Sequence, residues 1–270
     1  MDYVMNCKIC KAEVKKAFRA KVLHKHDVQY FTCTNCGFYQ TEKPYWLPEA
    51  YSNAITSLDI GLLYRNELFK PIVASMIRSF FDSKARFIDY GGGYGVLVRM
   101  LRDIGFDFYR HDTYCDNIFA KNFDVNDLSI NQRFEVLTAF EVFEHLENPM
   151  QEVEKMLVFS DNILFSTELV PTNQSINPNT WWYLAPETGQ HIAFYTKASL
   201  QKMADYFSMN FYTNGSTLHL LTRKKISPLL FRLLCYHKIS LLVKGITSGK
   251  SLLQTDFLNI KHKLNLENHL

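Results

Sequence analysis

The chain has 270 residues, 47% of them hydrophobic and 14% aromatic, with a formal net charge of +3. That supports one sizeable core with a small appended unit and excludes a strongly basic polyanion binder. Six cysteines are too few and too uneven for a secreted disulfide scaffold, and no apolar run is long enough to span a bilayer.

Cys7-Lys8-Ile9-Cys10 and Cys33-Thr34-Asn35-Cys36 are two C-x-x-C pairs separated by Lys11 to Thr32. Two such turns each present two thiolates and together close a tetrahedral zinc site, so residues 1–43 read as a zinc ribbon with Cys7, Cys10, Cys33 and Cys36 as ligands. A redox C-x-x-C is the competing reading. Val28 to Phe31 and Phe38 to Gln40 read as small strands. Lys15, Lys16, Arg19, Lys21 and Lys25, with His24 and His26, read as a solvated basic loop. Met1-Asp2-Tyr3 carries no basic-then-apolar leader, so a cytoplasmic location is expected.

Residues 44–82 read as a bridge, stiffened by Pro44 and Pro48, leading into a helix over Leu63 to Phe81 that Pro71 interrupts or kinks. Tyr51, Asp59 and Arg65 are possible cofactor or substrate contacts there. Residues 83–225 follow as the main domain. Phe87 to Tyr90 is a short buried strand running into Gly91-Gly92-Gly93-Tyr94-Gly95, and Val96, Leu97, Met100, Leu101 and Ile104 recur at helical spacing. A dinucleotide fingerprint fails because Val96 stands where its last glycine belongs, and no G-K-[ST] follows for a phosphate loop. What remains is acidic-x-Gly-x-Gly-x-Gly, from Asp89 to Gly95. A second acid, Asp112, ends the next strand, Phe106 to Asp112, where a carboxylate can accept two ribose hydroxyls.

This pattern resembles the first motif of class I S-adenosylmethionine-dependent methyltransferases. The resemblance implies a Rossmann-like, mostly parallel seven-stranded sheet ending in an antiparallel hairpin. It also implies S-adenosylmethionine held by Asp89, Gly91, Gly93, Gly95 and Asp112, with adenine near Ala120 to Asp124, including Phe123. Phe134 to Phe140 is a buried strand, and Glu141-Val142-Phe143-Glu144-His145-Leu146 with Pro149 resembles the E-V-x-E-H-L-x-x-P segment that follows the fourth strand in many small-molecule methyltransferases. It places Glu141 with the cofactor and Glu144 and His145 near the reacting methyl group, unless these residues only order the turn.

Met150 to Leu157 reads as a helix, Asn162 to Thr167 as the fifth strand and Lys197 to Phe207 as a helix. Met209 to Thr213 and Thr217 to Thr222 flank Asn214-Gly215 as a hairpin. Between these lies the aromatic stretch Trp181 to Tyr195. It resembles the Gly-Gln-His-x-x-Phe-Tyr segment of zinc-ribbon methyltransferases of sugar and surface-polysaccharide pathways. That resemblance implies a carbohydrate acceptor contacted by Trp182, Tyr183, Glu187, Gln190 and Tyr195, with His191 as general base and His145 as its rival. Residues 226–270 form an apolar and basic extension expected to pack on the main domain or lie on a membrane surface. Two other readings stand beside this one: an RNA-modifying enzyme docking through its ribbon, and a non-catalytic binding module. The near-neutral charge opposes the first and the intact acidic-glycine motif the second.

Overall fold

The structure is a computed structural model that describes residues 5–52, 54–128, 133–171, 176–246 and 249–267. In chain order the elements are β1 (Val14–Val22), β2 (His26–Cys33), β3 (Tyr39–Thr41), α1 (Leu47–Ala50), α2 (Leu62–Phe80), β4 (Arg86–Tyr90), α3 (Val96–Arg102), β5 (Asp107–His111) and β6 (Val136–Ala139). There follow α4 (Pro149–Phe159), β7 (Asn162–Ser166), β8 (Ala193–Phe194), α5 (Lys197–Tyr206), β9 (Asn210–Thr213), β10 (Leu218–Thr222), α6 (Pro228–Leu234), α7 (His237–Ile246) and α8 (Leu253–Glu267). Six strands form one sheet in the order β5-β4-β6-β7-β10-β9. β4 runs parallel to β5 and β6, while β10 runs antiparallel to β7 and β9. Among the described residues this is one strand fewer than the expected seven. The segment after β5 makes only an isolated parallel bridge, Arg110 to Asp124, because its polar residues are spent on side-chain bonds described below.

The chain divides into two compact units, Ile60–Thr138 with Leu229–Leu270, and Met1–Asp59 with Ala139–Pro228. In the first, β4 is buried along nearly its whole length and packs Phe87 against Phe106 and Phe108. Pro71 lies inside a single assigned helix, α2, rather than starting a new one. Its missing N–H forgoes one bond to the preceding turn, and burial of Pro71 to Ile77 offsets that loss. The C-terminal extension is tied down by α8. Asp256 accepts from Arg102 Nε at 2.9 Å and Nη2 at 2.7 Å, and both side chains are almost wholly buried. No helix among the described residues is long and apolar enough to cross a membrane.

In the second unit a four-stranded sheet has the order β1-β2-β3-β8. The residues expected to form a basic loop are strand β1, paired antiparallel with β2 from Val14↔Cys33 to Val22↔His26. Leu23 and His24 take left-handed backbone at the turn, φ 51° and 60°, so His24 serves the hairpin and is exposed. An irregularity between Lys16 and Phe18 leaves both Lys15 and Lys16 exposed, and alternation beyond it exposes Arg19 and Lys21. β3 pairs with β8, Tyr39↔Phe194 and Gln40↔Ala193, so the aromatic stretch completes the cysteine-bearing sheet. Val22, Val28, Tyr30, Trp46, Tyr183 and Phe194 share one core. Trp46 Nε1 donates to the Gly189 carbonyl at 2.8 Å. Gly189 has φ 68°, and a Cβ there would come within 3.0 Å of Val22 and Leu23, so only glycine suits this approach.

Candidate functional sites

In the Ile60–Thr138 unit, β4 delivers the glycine turn. Gly91, Gly93 and Gly95 have φ of 70°, 53° and 83°, the left-handed region that costs other residues about 1–2 kcal/mol. Asp89 at the strand end is 4% exposed, and Thr138 Oγ1 donates to its Oδ1 at 2.6 Å. Burial pushes the Asp89 carboxyl up to about 7, against the Thr138 bond and with some help from the charge of Asp112. Asp112 closes the turn from the other side. Its Oδ2 accepts from Gly93 N at 2.9 Å, and its Oδ1 from Tyr114 N at 2.7 Å and Cys115 N at 2.8 Å.

A residue that sequence reasoning missed holds these parts together. Arg110 donates to Asp124 Oδ1 at 2.7 Å, to the Cys115 carbonyl at 2.9 Å and to the Gly93 carbonyl. Its signal is a lone arginine inside the buried strand Phe108 to Arg110. Phe123 is buried, with the Arg102 guanidinium 3.8 Å over its ring, so its ring is committed to packing. Ala120 closes against the turn, since a Cβ on Gly95 would come within 2.8 Å of Ala120 Cβ.

In the other unit, the four cysteines converge. Sγ–Sγ distances are 3.7 Å for Cys7–Cys36, 3.5 Å for Cys10–Cys33 and 3.6 Å for Cys10–Cys36. Four sulfurs about 2.3 Å from one zinc stand roughly 3.8 Å apart, so the set fits a tetrahedral ion. Backbone N–H groups of Ile9 and Cys10 point at Cys7 Sγ, and those of Asn35 and Cys36 at Cys33 Sγ, all at 3.4–3.5 Å. Donors aimed at sulfur favour thiolate.

The same unit gathers a second cluster. Glu144, His145 and His191 each offer a ligand atom, and these lie within 4.8 Å of one another. Glu144 is 0% exposed, and neither carboxylate oxygen has a close hydrogen-bond partner among the described residues, although the Tyr183 and Thr167 hydroxyls act on it more weakly than burial does. Burial, then the charge of Glu141, drives its carboxyl well above the usual range. His145 Nδ1 lies 3.2 Å from the Gln190 carbonyl and 3.1 Å from Tyr51 Oη. His191 Nδ1 lies 2.6 Å from the Tyr183 carbonyl. A carbonyl only accepts, so both imidazoles carry the proton on Nδ1 and present Nε2 as the basic nitrogen. The rings stand 4.9 Å apart and nearly perpendicular. Burial, then His191, lowers His145 to about 3, too low for a base working near neutrality.

The remaining expected residues divide. Tyr183 and Gln190 are buried; Gln190 Nε2 donates to the Ala50 carbonyl at 2.9 Å, and Tyr183 Oη lies 3.3 Å from Thr167 Oγ1. Tyr195 is fully buried and donates to the Phe143 carbonyl at 2.9 Å, which makes it scaffold. Trp182, 75% exposed, and Glu187, also exposed, stand apart from the histidine pair's buried side. Glu141 has φ 53°, and Ser166 Oγ pins it by donating to Oε1 at 2.7 Å and accepting from its N–H at 2.8 Å. Such backbone in a glutamate is strained and marks a constrained position.

A glycine turn after one parallel strand, an acid after the next and an antiparallel strand β10 define the class I methyltransferase fold, a Rossmann-like sheet. The model of a methyltransferase domain family matches residues 64–207, more than half of the chain. The chain belongs to that family. It is similar in fold to the magnesium protoporphyrin IX methyltransferase ChlM of Synechocystis, at 13% identity and TM-score 0.45, over 65% of this chain and 92% of that one. An O-methyltransferase family 2 protein of Planctomyces limnophilus, in complex with apigenin, is 12% identical with TM-score 0.45, over 65% and 66%. The calicheamicin-biosynthesis methyltransferase CalO1, in its S-adenosylhomocysteine-bound form, is 10% identical with TM-score 0.43, over 66% of this chain. The chain spans 61% of the length of CalO1 and 54% of that of the mitomycin 7-O-methyltransferase MmcR. No curated protein matches the chain.

Proposed function

We propose that this protein transfers the methyl group of S-adenosylmethionine to a small-molecule acceptor, of which a sugar, nucleotide sugar or glycan intermediate is the favoured class. The observation that carries the reading is the Asp89–Gly95 turn clasped by Asp112. Left-handed Gly91 and Gly93 bring no side chain to where a ligand would approach, while Gly95 lets Ala120 close against the turn. Asp112 spends three of about four acceptor positions on backbone N–H groups and keeps one for a ribose hydroxyl. The cofactor, when bound, supplies an activated methyl and its own leaving group. The protein's part is to align the acceptor and take up its proton.

We assign the proton to His191 of the Glu144–His145–His191 cluster; His145, lowered by burial to about 3, serves there as its neighbour and not as the base. Tyr183 and Gln190 fix the two imidazoles through their backbone carbonyls. Exposed Trp182 offers an aromatic face suited to a sugar ring. The four cysteines hold a structural zinc that contributes folding free energy to the β1–β2–β3 region. The exposed leucines 229, 233, 241 and 242 of α6 and α7, beside Arg232 and Lys238, support a peripheral membrane contact as a secondary reading. The test is calorimetry with S-adenosylhomocysteine, then mass spectrometry of nucleotide sugars incubated with the protein and S-adenosylmethionine. Saturable binding and a methylated product are expected. A folded, zinc-loaded protein that binds no S-adenosylhomocysteine would refute the proposal.

A further inference from the structure

Glu144 poses a problem that the proposed function does not resolve. A carboxylic acid with no exposure and no close hydrogen-bond partner, with the Tyr183 and Thr167 hydroxyls acting on it weakly, forfeits its solvation for little return. Two imidazoles lie beside it, with ligand atoms within 4.8 Å. Both imidazoles are oriented alike, with Nδ1 committed to a backbone carbonyl, Gln190 for His145 and Tyr183 for His191. That is the arrangement by which proteins fix a histidine's tautomer for coordination through Nε2. His145 and His191 are only half-buried, which leaves a way in. The strained Glu141, anchored by Ser166, brings a further carboxylate close enough for its charge to act on Glu144.

From this geometry we infer that Glu144, His145 and His191 form a second metal site, distinct from the four cysteines, that takes a first-row divalent cation. Two imidazoles and one carboxylate are a borderline donor set, suited to manganese, iron, cobalt or zinc and poorly suited to calcium or magnesium. Three protein ligands leave positions for water or for an acceptor oxygen. The ion would give the buried Glu144 oxygens a close partner and offset the charge that Glu141 and Glu144 bring together. The ion's role in the reaction, though not the site itself, rests on the reading of this cluster as the acceptor site. With the ion in place, the imidazoles would act as ligands, and an acceptor oxygen bound to the ion would have a lowered pKa and release its proton to solvent water.

The experiment uses the full chain, its cysteine site loaded with one equivalent of zinc. Manganese(II) alone is titrated in, and the free ion is followed by electron paramagnetic resonance; cobalt(II) and further zinc are tested in parallel. Thiolate sites disfavour manganese, so its uptake reports the second site. Saturation at one manganese per chain is expected, with affinity at least tenfold weaker in Glu144→Gln and in His191→Ala. Retention of the first zinc and an unchanged melting profile show that each variant is folded. If the wild-type chain takes up none of the three ions beyond the first zinc, the inference is overturned. Uptake that both folded variants retain unchanged overturns it equally. S-adenosylhomocysteine calorimetry on the same samples separates this from the proposed function: cofactor binding without metal uptake sinks the metal site alone. Metal uptake without cofactor binding sinks the methyl-transfer reading and leaves the site standing.

Discussion

Replacing Asp112 tests the cofactor cradle most directly. Its carboxylate is bound by three backbone N–H groups at 2.7–2.9 Å, two on Oδ1 and one on Oδ2. The remaining acceptor position lies on Oδ2, the oxygen that also pins Gly93. A hydroxyl bond to a charged acceptor contributes about 1.5–3 kcal/mol, or roughly a tenfold to hundredfold change in affinity. Asp112→Asn keeps a carbonyl oxygen for Tyr114 and Cys115 but sets an amide donor against the Gly93 N–H. It would therefore lose the pin on the turn and, under the proposed function, the ribose acceptor as well. Asp112→Ala loses all of these contacts and should also lower the melting temperature. Isothermal titration with S-adenosylhomocysteine should show at least tenfold weaker binding in both variants. If Asp112→Asn binds within twofold of wild type while remaining folded, Asp112 does not hold the ribose and the cradle has been misassigned.

His191→Ala should cut single-turnover rates by about a hundredfold with cofactor affinity unchanged, measured once an acceptor is in hand; near-wild-type rates would remove His191 from the chemistry. Cys36→Ser, or prolonged chelation, should release zinc and lower the melting temperature, read by metal analysis and thermal denaturation, and metal-free protein that melts normally would dismiss the structural zinc. Fully buried His219, held by Thr213 Oγ1 and the Thr167 carbonyl, is lowered by burial from 6.5 to about 4. Its neutral form contributes fully above about pH 6.5, and that contribution, up to about 3 kcal/mol, is lost as pH falls towards 4. Urea denaturation should therefore show the stability gap between wild type and His219→Gln narrowing over that window; a constant gap would contradict the assignment. Asp256→Ala strips the buried Arg102 of its bidentate partner but leaves it Asp107, and should cost about 1.5–3 kcal/mol, measured by chemical denaturation, with no measurable change counting against the anchor.

The parts of this protein that were legible in its sequence are those whose physics is local. Two C-x-x-C turns converge because each turn aims its own sulfurs and backbone donors. Gly91, Gly93 and Gly95 mark left-handed backbone that few other residues tolerate, and Asn214-Gly215 marks the turn between β9 and β10. The third strand failed to emerge because Arg110, Asn117 and Asp124 bond to one another and to loop carbonyls, a competition that hydrophobic pattern does not reveal. The orientation of the histidine pair was decided only in the folded chain. It depends on β8 joining β3, on Trp46 reaching the Gly189 carbonyl and on Gln190 reaching the Ala50 carbonyl, bonds between residues far apart in sequence. The full burial of Glu144, and the exposure of Trp182 and Glu187 from the same stretch of sequence that buries Tyr183, arise in the same way. Residue type sets what a side chain can do; which neighbours it meets, and whether water reaches it, is fixed by contacts that no local pattern encodes.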